Sequence, residues 1–190
     1  MSKYSNIAFI FPSLKPGGGN RAMIQLYDQH IKEGNLAKIF YLKNKGTSLE
    51  LKQHYVSHEL KLLSNSKHHF VMGIILMLMK IKKDKDINIV FFSDPIISIF
   101  SILLSNKKLV RYVQADEFSL FKNHPKSNFI FNSIYKILNL ISMRYKYDKV
   151  LFNSQYSYDV YNSVVKNLPF HYLPPSLFNA DYLLDKNHFE

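Results

Sequence analysis

The residues of this sequence that could do chemistry sit where apolar runs end. The first group is Pro12-Ser13-Leu14-Lys15-Pro16-Gly17-Gly18-Gly19-Asn20-Arg21, which follows the apolar run 6–11. Three consecutive glycines let the backbone approach a ligand closely. A helix that starts there directs free N–H groups and the positive end of its dipole at an anion. Residues Gly17 to Ala22 satisfy G-x-G-x-x-A, the dinucleotide fingerprint. That fingerprint also requires an acidic residue about 20 positions on, closing the second strand. Here the second run ends Tyr41-Leu42-Lys43, so a nicotinamide dinucleotide is disfavoured. No Gly-Lys-Ser/Thr is present, so the loop is not a P-loop. The plain alternative is a glycine turn that only permits tight packing.

Three further groups follow later runs: Ser93-Asp94-Pro95, Gln114-Ala115-Asp116-Glu117 and Asn153-Ser154. A glutamine can hydrogen-bond a sugar hydroxyl but cannot exchange protons at neutral pH. For Asp116 and Glu117 the alternative is a pair of surface carboxylates on a loop. The histidines give little. His68-His69 falls at a helix start, and His54 and His58 share a helical spacing, but zinc needs further ligands beside them. With no cysteine in the chain, no disulfide framework, thiolate ligand or thiol nucleophile exists, and no metal site is expected.

The elements that position these groups alternate. The apolar runs 6–11, 37–42, 55–63, 87–92, 108–113, 149–153 and 170–173 read as short strands. Helical patterns lie between most of them. One is capped by Asn20 and stops near Gly34, burying Met23, Leu26, Tyr27 and Ile31. The segment 67–82 is apolar nearly all round and should be deeply packed. Segment 95–104 opens on Pro95, where a missing N–H does no harm. Segment 129–147 is amphipathic, and Ser154 caps a helix that runs to Lys166. Strands that alternate with helices predict an α/β, Rossmann-like domain with a mostly parallel sheet and helices on both faces. Ligands then bind outside the carboxyl ends of the strands, where the groups above lie. Residues 1–175 form this domain, and 176–190 read as a linker or tail.

Composition bounds the function. The 190 residues are 47% hydrophobic and 21% charged, enough for one domain with a real core. The N-terminal apolar run is too short for a signal peptide, and no run approaches the roughly 20 residues that span a bilayer. A cytoplasmic location is expected. The net charge of +11 favours anionic partners. No RNA-recognition, zinc-finger or helix-turn-helix signature accompanies it, so nucleic acid is not expected. Lys80, Lys82, Lys83 and Lys85 close one helix, and Lys122, His124 and Lys126 lie beside Phe118, Phe121 and Phe129. Lysines interleaved with aromatics suit an anionic membrane surface, here the inner face of the plasma membrane.

A strand, then Pro-x-x-x-x-Gly-Gly-x-x-Arg leading into a helix, resembles the opening of the large retaining family of GT-B glycosyltransferases. The later groups keep the same order, and Leu151-Phe152-Asn153-Ser154-Gln155 and Leu173-Pro174-Pro175 are similar to that family's passage toward its second domain. The likeness covers nearly the whole chain. It implies one half of a GT-B fold, the N-terminal, acceptor-side half. It also implies that Gly17, Gly18, Gly19, Asn20, Arg21, Asp94, Glu117, Asn153 and Ser154 line a substrate cleft, with Gln114 and Asp116 nearest the chemistry. Many members carry a histidine where Gln114 stands; some rhamnosyltransferase-like members resemble the Gln-x-Asp/Glu pattern seen here. The resemblance further implies a nucleotide-sugar donor as substrate, no separate cofactor, and a glycan or lipid-linked acceptor in bacterial surface polysaccharide or lipopolysaccharide assembly. The donor-binding half must come from a C-terminal domain or separate subunit, without which the chain is expected to be inactive. The competing class is a non-catalytic Rossmann module that docks or stabilises a partner subunit.

Overall fold

The structure is a computed structural model that describes residues 6–15, 17–43, 51, 55–62, 66–114, 133, 137, 147–166 and 169–173. Six strands form one parallel sheet: β1 (Ile7–Phe11), β2 (Ala37–Lys43), β3 (Ser57–Lys61), β4 (Ile89–Phe92), β5 (Lys108–Val113) and β6 (Lys149–Phe152), in the order β3-β2-β1-β4-β5-β6. Among the described residues, the helices with both ends placed are α1 (Gly18–Lys32), α2 (Lys67–Lys83), α3 (Pro95–Phe100), continued by a 3₁₀ turn at Ser101–Leu104, and α4 (Gln155–Val165).

Strand β1 shows why its residues read as an unbroken apolar run. Side chains alternate across a strand. Ala8 and Ile10 join Phe40, Leu42, Val90 and Phe92 beneath α2 and α3, where Ile74, Met77, Leu78, Ile81 and Ile97 are buried. Phe9 and Phe11 join Ile39, Phe91 and Tyr112 on the opposite face, beneath Ala22, Met23 and Tyr27 of α1. A strand covered on both sides must be apolar at every position. A third cluster holds Val113, Val150 and Phe152 against Tyr161 and Val165 of α4.

Two readings of the sequence are corrected here. The run 170–173 is no strand: it makes a single parallel bridge, Tyr172 opposite Phe152. Pro169 and Pro174 flank it, and proline cannot donate to a ladder. Helix α2 is also not packed all round, because the sheet covers only one side. Met72, Leu76, Met79 and Val71 are exposed. The segment 129–147 and the tail 176–190 lie outside the described residues, apart from Ser133, Ile137 and Tyr147.

The segment after α4 is nevertheless tied to the sheet. The Phe152 N–H donates to the His171 carbonyl, and the Leu173 N–H to the Phe152 carbonyl, both at 2.8 Å. The Tyr112 hydroxyl donates to the Leu173 carbonyl at 3.0 Å. Burial, with Tyr172 adding to it, pushes the Tyr112 hydroxyl up to about 12. The neutral form is therefore favoured in the fold. Its contribution is complete below the unfolded value of 10.0 and is lost as pH rises toward 12. Across that window Tyr112 lowers stability by about 1.4 kcal/mol per pH unit. Tyr27 and Tyr41 are raised in the same direction, so Tyr112→Phe should flatten the alkaline fall without abolishing it. Urea denaturation of both proteins at a series of alkaline pH values checks this.

Candidate functional site

The chain runs outward from β1 through β2 to β3, then returns to lay β4 on the other side of β1. Between β1 and β4 the connections diverge to opposite faces, and a crevice opens at the carboxyl ends of these strands. The register brings the strand ends level: Ile10 lies opposite Phe92, Phe92 opposite Arg111, and Val113 opposite Phe152. The groups that follow β1, β4, β5 and β6 therefore share one edge of the sheet, as their sequence positions imply.

The glycine loop forms one wall. The helix begins earlier than the sequence suggests, at Gly18 with Gly17 at the cap position, so Asn20 is not the cap. No side chain caps this first turn. The Asn20 amide instead reaches back and donates to the Ser13 and Lys15 carbonyls, each at 2.9 Å. It folds the loop over its own helix start, while Pro12 and Leu14 anchor the loop in the core. A Cβ at Gly17 or Gly18 would meet nothing within 4 Å. Open space thus stands before N–H groups at a helix N-terminus, an arrangement suited to an anionic group. Arg21 is exposed in the same turn.

Gly19 is different. Its carbonyl accepts from the Gln114 side-chain amide at 3.3 Å, and a Cβ there would stand 2.5 Å from Gln114 Oε1. Only glycine lets Gln114 lie flat against the loop. Gln114 is held in turn by Asn153, whose side-chain amide donates to the Gln114 carbonyl at 2.7 Å. Asn153 Oδ1 accepts from the Ser157 hydroxyl at 2.8 Å and the Ser154 hydroxyl at 3.1 Å. Ser154 caps α4 by accepting from the Ser157 N–H at 3.2 Å. A continuous polar brace thus runs from α4 through Asn153 and Gln114 to the glycine loop.

The structure brings together Gly19, Gln114, Asn153 and Ser154. It adds Ser157, fully buried, which sequence reasoning passed over. The available signal was its place three residues beyond the Ser154 cap. Asp94 stands at the end of β4, but its carboxylate caps α3 by accepting from the Ile96 N–H at 2.7 Å. Asp116 and Glu117 lie outside the described residues. Among the described residues, no group of three or more His, Asp or Glu is arranged to hold a metal ion.

No family model matches the sequence, and no curated protein matches it. Solved structures do match. A sucrose-phosphate synthase from Thermosynechococcus elongatus superposes with a TM-score of 0.68 at 12% identity, over 90% of this chain and 48% of its own. WaaG, a glycosyltransferase involved in lipopolysaccharide biosynthesis, gives 0.64 at 11% identity, over 88% of this chain and 44% of its own. The Arabidopsis thaliana UGT89C1 complexed with UDP gives 0.51 at 13% identity, over 98% of this chain and 55% of its own. The chain thus spans about half the length of the structures it matches. Its fold, a parallel Rossmann-like sheet with the candidate site at its switch point, is that of one half of a GT-B glycosyltransferase.

Proposed function

We propose that this chain is the acceptor-side, N-terminal domain of a nucleotide-sugar-dependent glycosyltransferase of bacterial surface polysaccharide or lipopolysaccharide assembly. The observation that carries the reading is the braced glycine loop at the switch point of the sheet. An open helix N-terminus, held from behind by Gln114 and Asn153, forms one wall of a crevice. The likeness to WaaG favours a lipopolysaccharide-type acceptor. The UDP in similar structures, an α-glucosyltransferase among them, favours a UDP-sugar as donor. The other wall belongs to a donor-binding domain, in the same polypeptide or a separate subunit.

In this arrangement Gly17, Gly18 and Arg21 face the substrates and Asn20 fixes the loop. Gln114 positions Gly19 through its side chain, and Asp116 and Glu117 keep the roles that the family resemblance gives them. Most of the stabilisation of the leaving diphosphate comes from the donor-binding half. Transfer of labelled sugar from a UDP-sugar to a lipid-linked acceptor tests the reading, with the chain alone and with the chain joined to a donor-binding domain. Transfer is expected only from the joined protein, and Arg21→Ala should lower it at least tenfold, the size of one lost charged contact of about 1.5–3 kcal/mol. Equal activity of the Arg21→Ala and Asp116→Ala variants would instead identify a non-catalytic module.

A further inference from the structure

Helix α2 carries more apolar surface than the described residues cover. Gly73, Ile74, Met77, Leu78 and Ile81 are buried. On the other side Met72 is 55% exposed, Leu76 52% and Met79 39%. Positions 72, 76 and 79 recur at helical spacing and form one stripe. The 3₁₀ turn at Ser101–Leu104 packs against this helix and adds Ile102, 60% exposed. Large apolar side chains gathered on one face mark an interaction surface.

The charges beside the stripe say what covers it. The next position on the same helical row is Lys83, and Lys80, Lys82 and Lys85 are exposed with it. Lys108, exposed at the start of the neighbouring β5, adds to them. Among the described residues three acids lie nearby: Asp84 is bound to Lys38 at 2.8 Å, Asp148 sits beside Lys108 and accepts from the Leu109 N–H at 2.7 Å, and Asp86 offsets only one of the remaining lysines. A second copy would bring the same lysines against these. An anionic bilayer supplies both acyl chains and phosphates. At 17 residues α2 is not long and apolar enough to cross a membrane, so it can only lie along one.

We propose that the outer face of α2 docks on an anionic lipid surface. The helix lies in the interfacial plane, with Met72, Leu76, Met79 and Ile102 below the headgroups and Lys80, Lys82 and Lys83 on their phosphates. Because α2 joins two parallel strands it runs antiparallel to them. Its lysine end lies at the edge where strands begin, and the glycine loop lies at the opposite edge. Docking therefore leaves the crevice open. This inference goes beyond the glycosyltransferase reading and does not depend on it.

Co-sedimentation of the 190-residue chain with phosphatidylcholine vesicles, with and without about one-third phosphatidylglycerol, tests the proposal. Binding should require the anionic lipid and weaken between about 0.1 M and 1 M salt, as the Debye length falls from about 10 Å to 3 Å. The triple variants Met72→Gln/Leu76→Gln/Met79→Gln and Lys80→Gln/Lys82→Gln/Lys83→Gln should each weaken it at least tenfold. Equal binding by the apolar triple variant, equal binding to neutral vesicles, or dimerisation that buries the stripe would overturn the proposal. A second readout guards against misfolding of the variants. The chain has no cysteine, so a polarity-sensitive fluorophore can be placed on Met72→Cys alone. Its emission should shift to the blue with anionic vesicles, and the same label on Gln29→Cys, on the opposite face of the sheet, should not respond. No shift at position 72, or equal shifts at both, contradicts the docking.

Discussion

Gly19→Ala should leave the protein folded and nearly as stable, yet lower glycosyl transfer by the joined enzyme about tenfold to a hundredfold. The added Cβ would stand 2.5 Å from Gln114 Oε1, too close to persist. That oxygen ends a flexible side chain, so the glutamine swings away and the core need not move. The cost is the Gln114–Gly19 hydrogen bond, about 1 kcal/mol net. Alanine at a helical position offsets this by roughly the same amount. Stability therefore barely changes while the loop loses its brace. A displacement of about 1 Å of a positioned group can cost about a hundredfold in rate. Gln114→Ala should give a similar loss, and the double variant should be no worse than either single one, because both changes break the same contact. Urea melts together with rates for the four proteins check this. Additive losses would place Gln114 in direct contact with substrate.

Asn153→Ala should act on both stability and activity. Its amide supports the Gln114 carbonyl, and its Oδ1 accepts from two hydroxyls. Ser157, fully buried, keeps its bond to the Ser154 carbonyl at 3.0 Å, so its hydroxyl is not stranded. The Ser157 proton turns to that carbonyl, so the loss is the bonds to Gln114 and Ser154, at about 1 kcal/mol each about 2 kcal/mol. That is a large part of the 5–15 kcal/mol typical of a domain. Transfer should fall more than with Gly19→Ala, since Gln114 loses its support at the backbone. Asn153→Asp separates the two functions of the side chain. The carboxylate still accepts from Ser154 and Ser157 but cannot donate to Gln114, so stability should recover in part and activity should not. Thermal melts and transfer rates measure the two effects.

The architecture was legible because a doubly covered parallel sheet leaves a strong mark. Runs such as Ile7–Phe11 and Ile89–Phe92 are apolar at every position, and turn residues separate them from helices. The edge that carries the site followed from strand direction alone. What was illegible depends on tertiary partners. Nothing local tells that Asn20 turns back to Ser13 and Lys15 rather than capping the helix. A triple glycine is compatible with both ligand approach and close packing. The structure divides it, with Gly17 and Gly18 open and Gly19 pressed on Gln114. Apolarity of α2 predicted burial, but the sequence does not reveal that the sheet covers only one side of that helix. Gln114 was expected nearest the chemistry and Asp94 in the substrate cleft, and the backbone contacts that each of them makes leave no local mark in the sequence.

The central claim is that this chain supplies the acceptor side of a cleft whose donor site lies mostly in another domain. Isothermal titration of the chain alone with UDP and a UDP-sugar tests it most directly. On the proposed reading the second wall belongs to the donor-binding domain, so these 190 residues alone should bind the nucleotide no more tightly than about 1 mM, near −4 kcal/mol. The same titration with a donor-binding domain attached should give micromolar affinity. Micromolar binding by the chain alone, unchanged when that domain is attached, would mean that the chain holds a complete nucleotide site and would contradict the account.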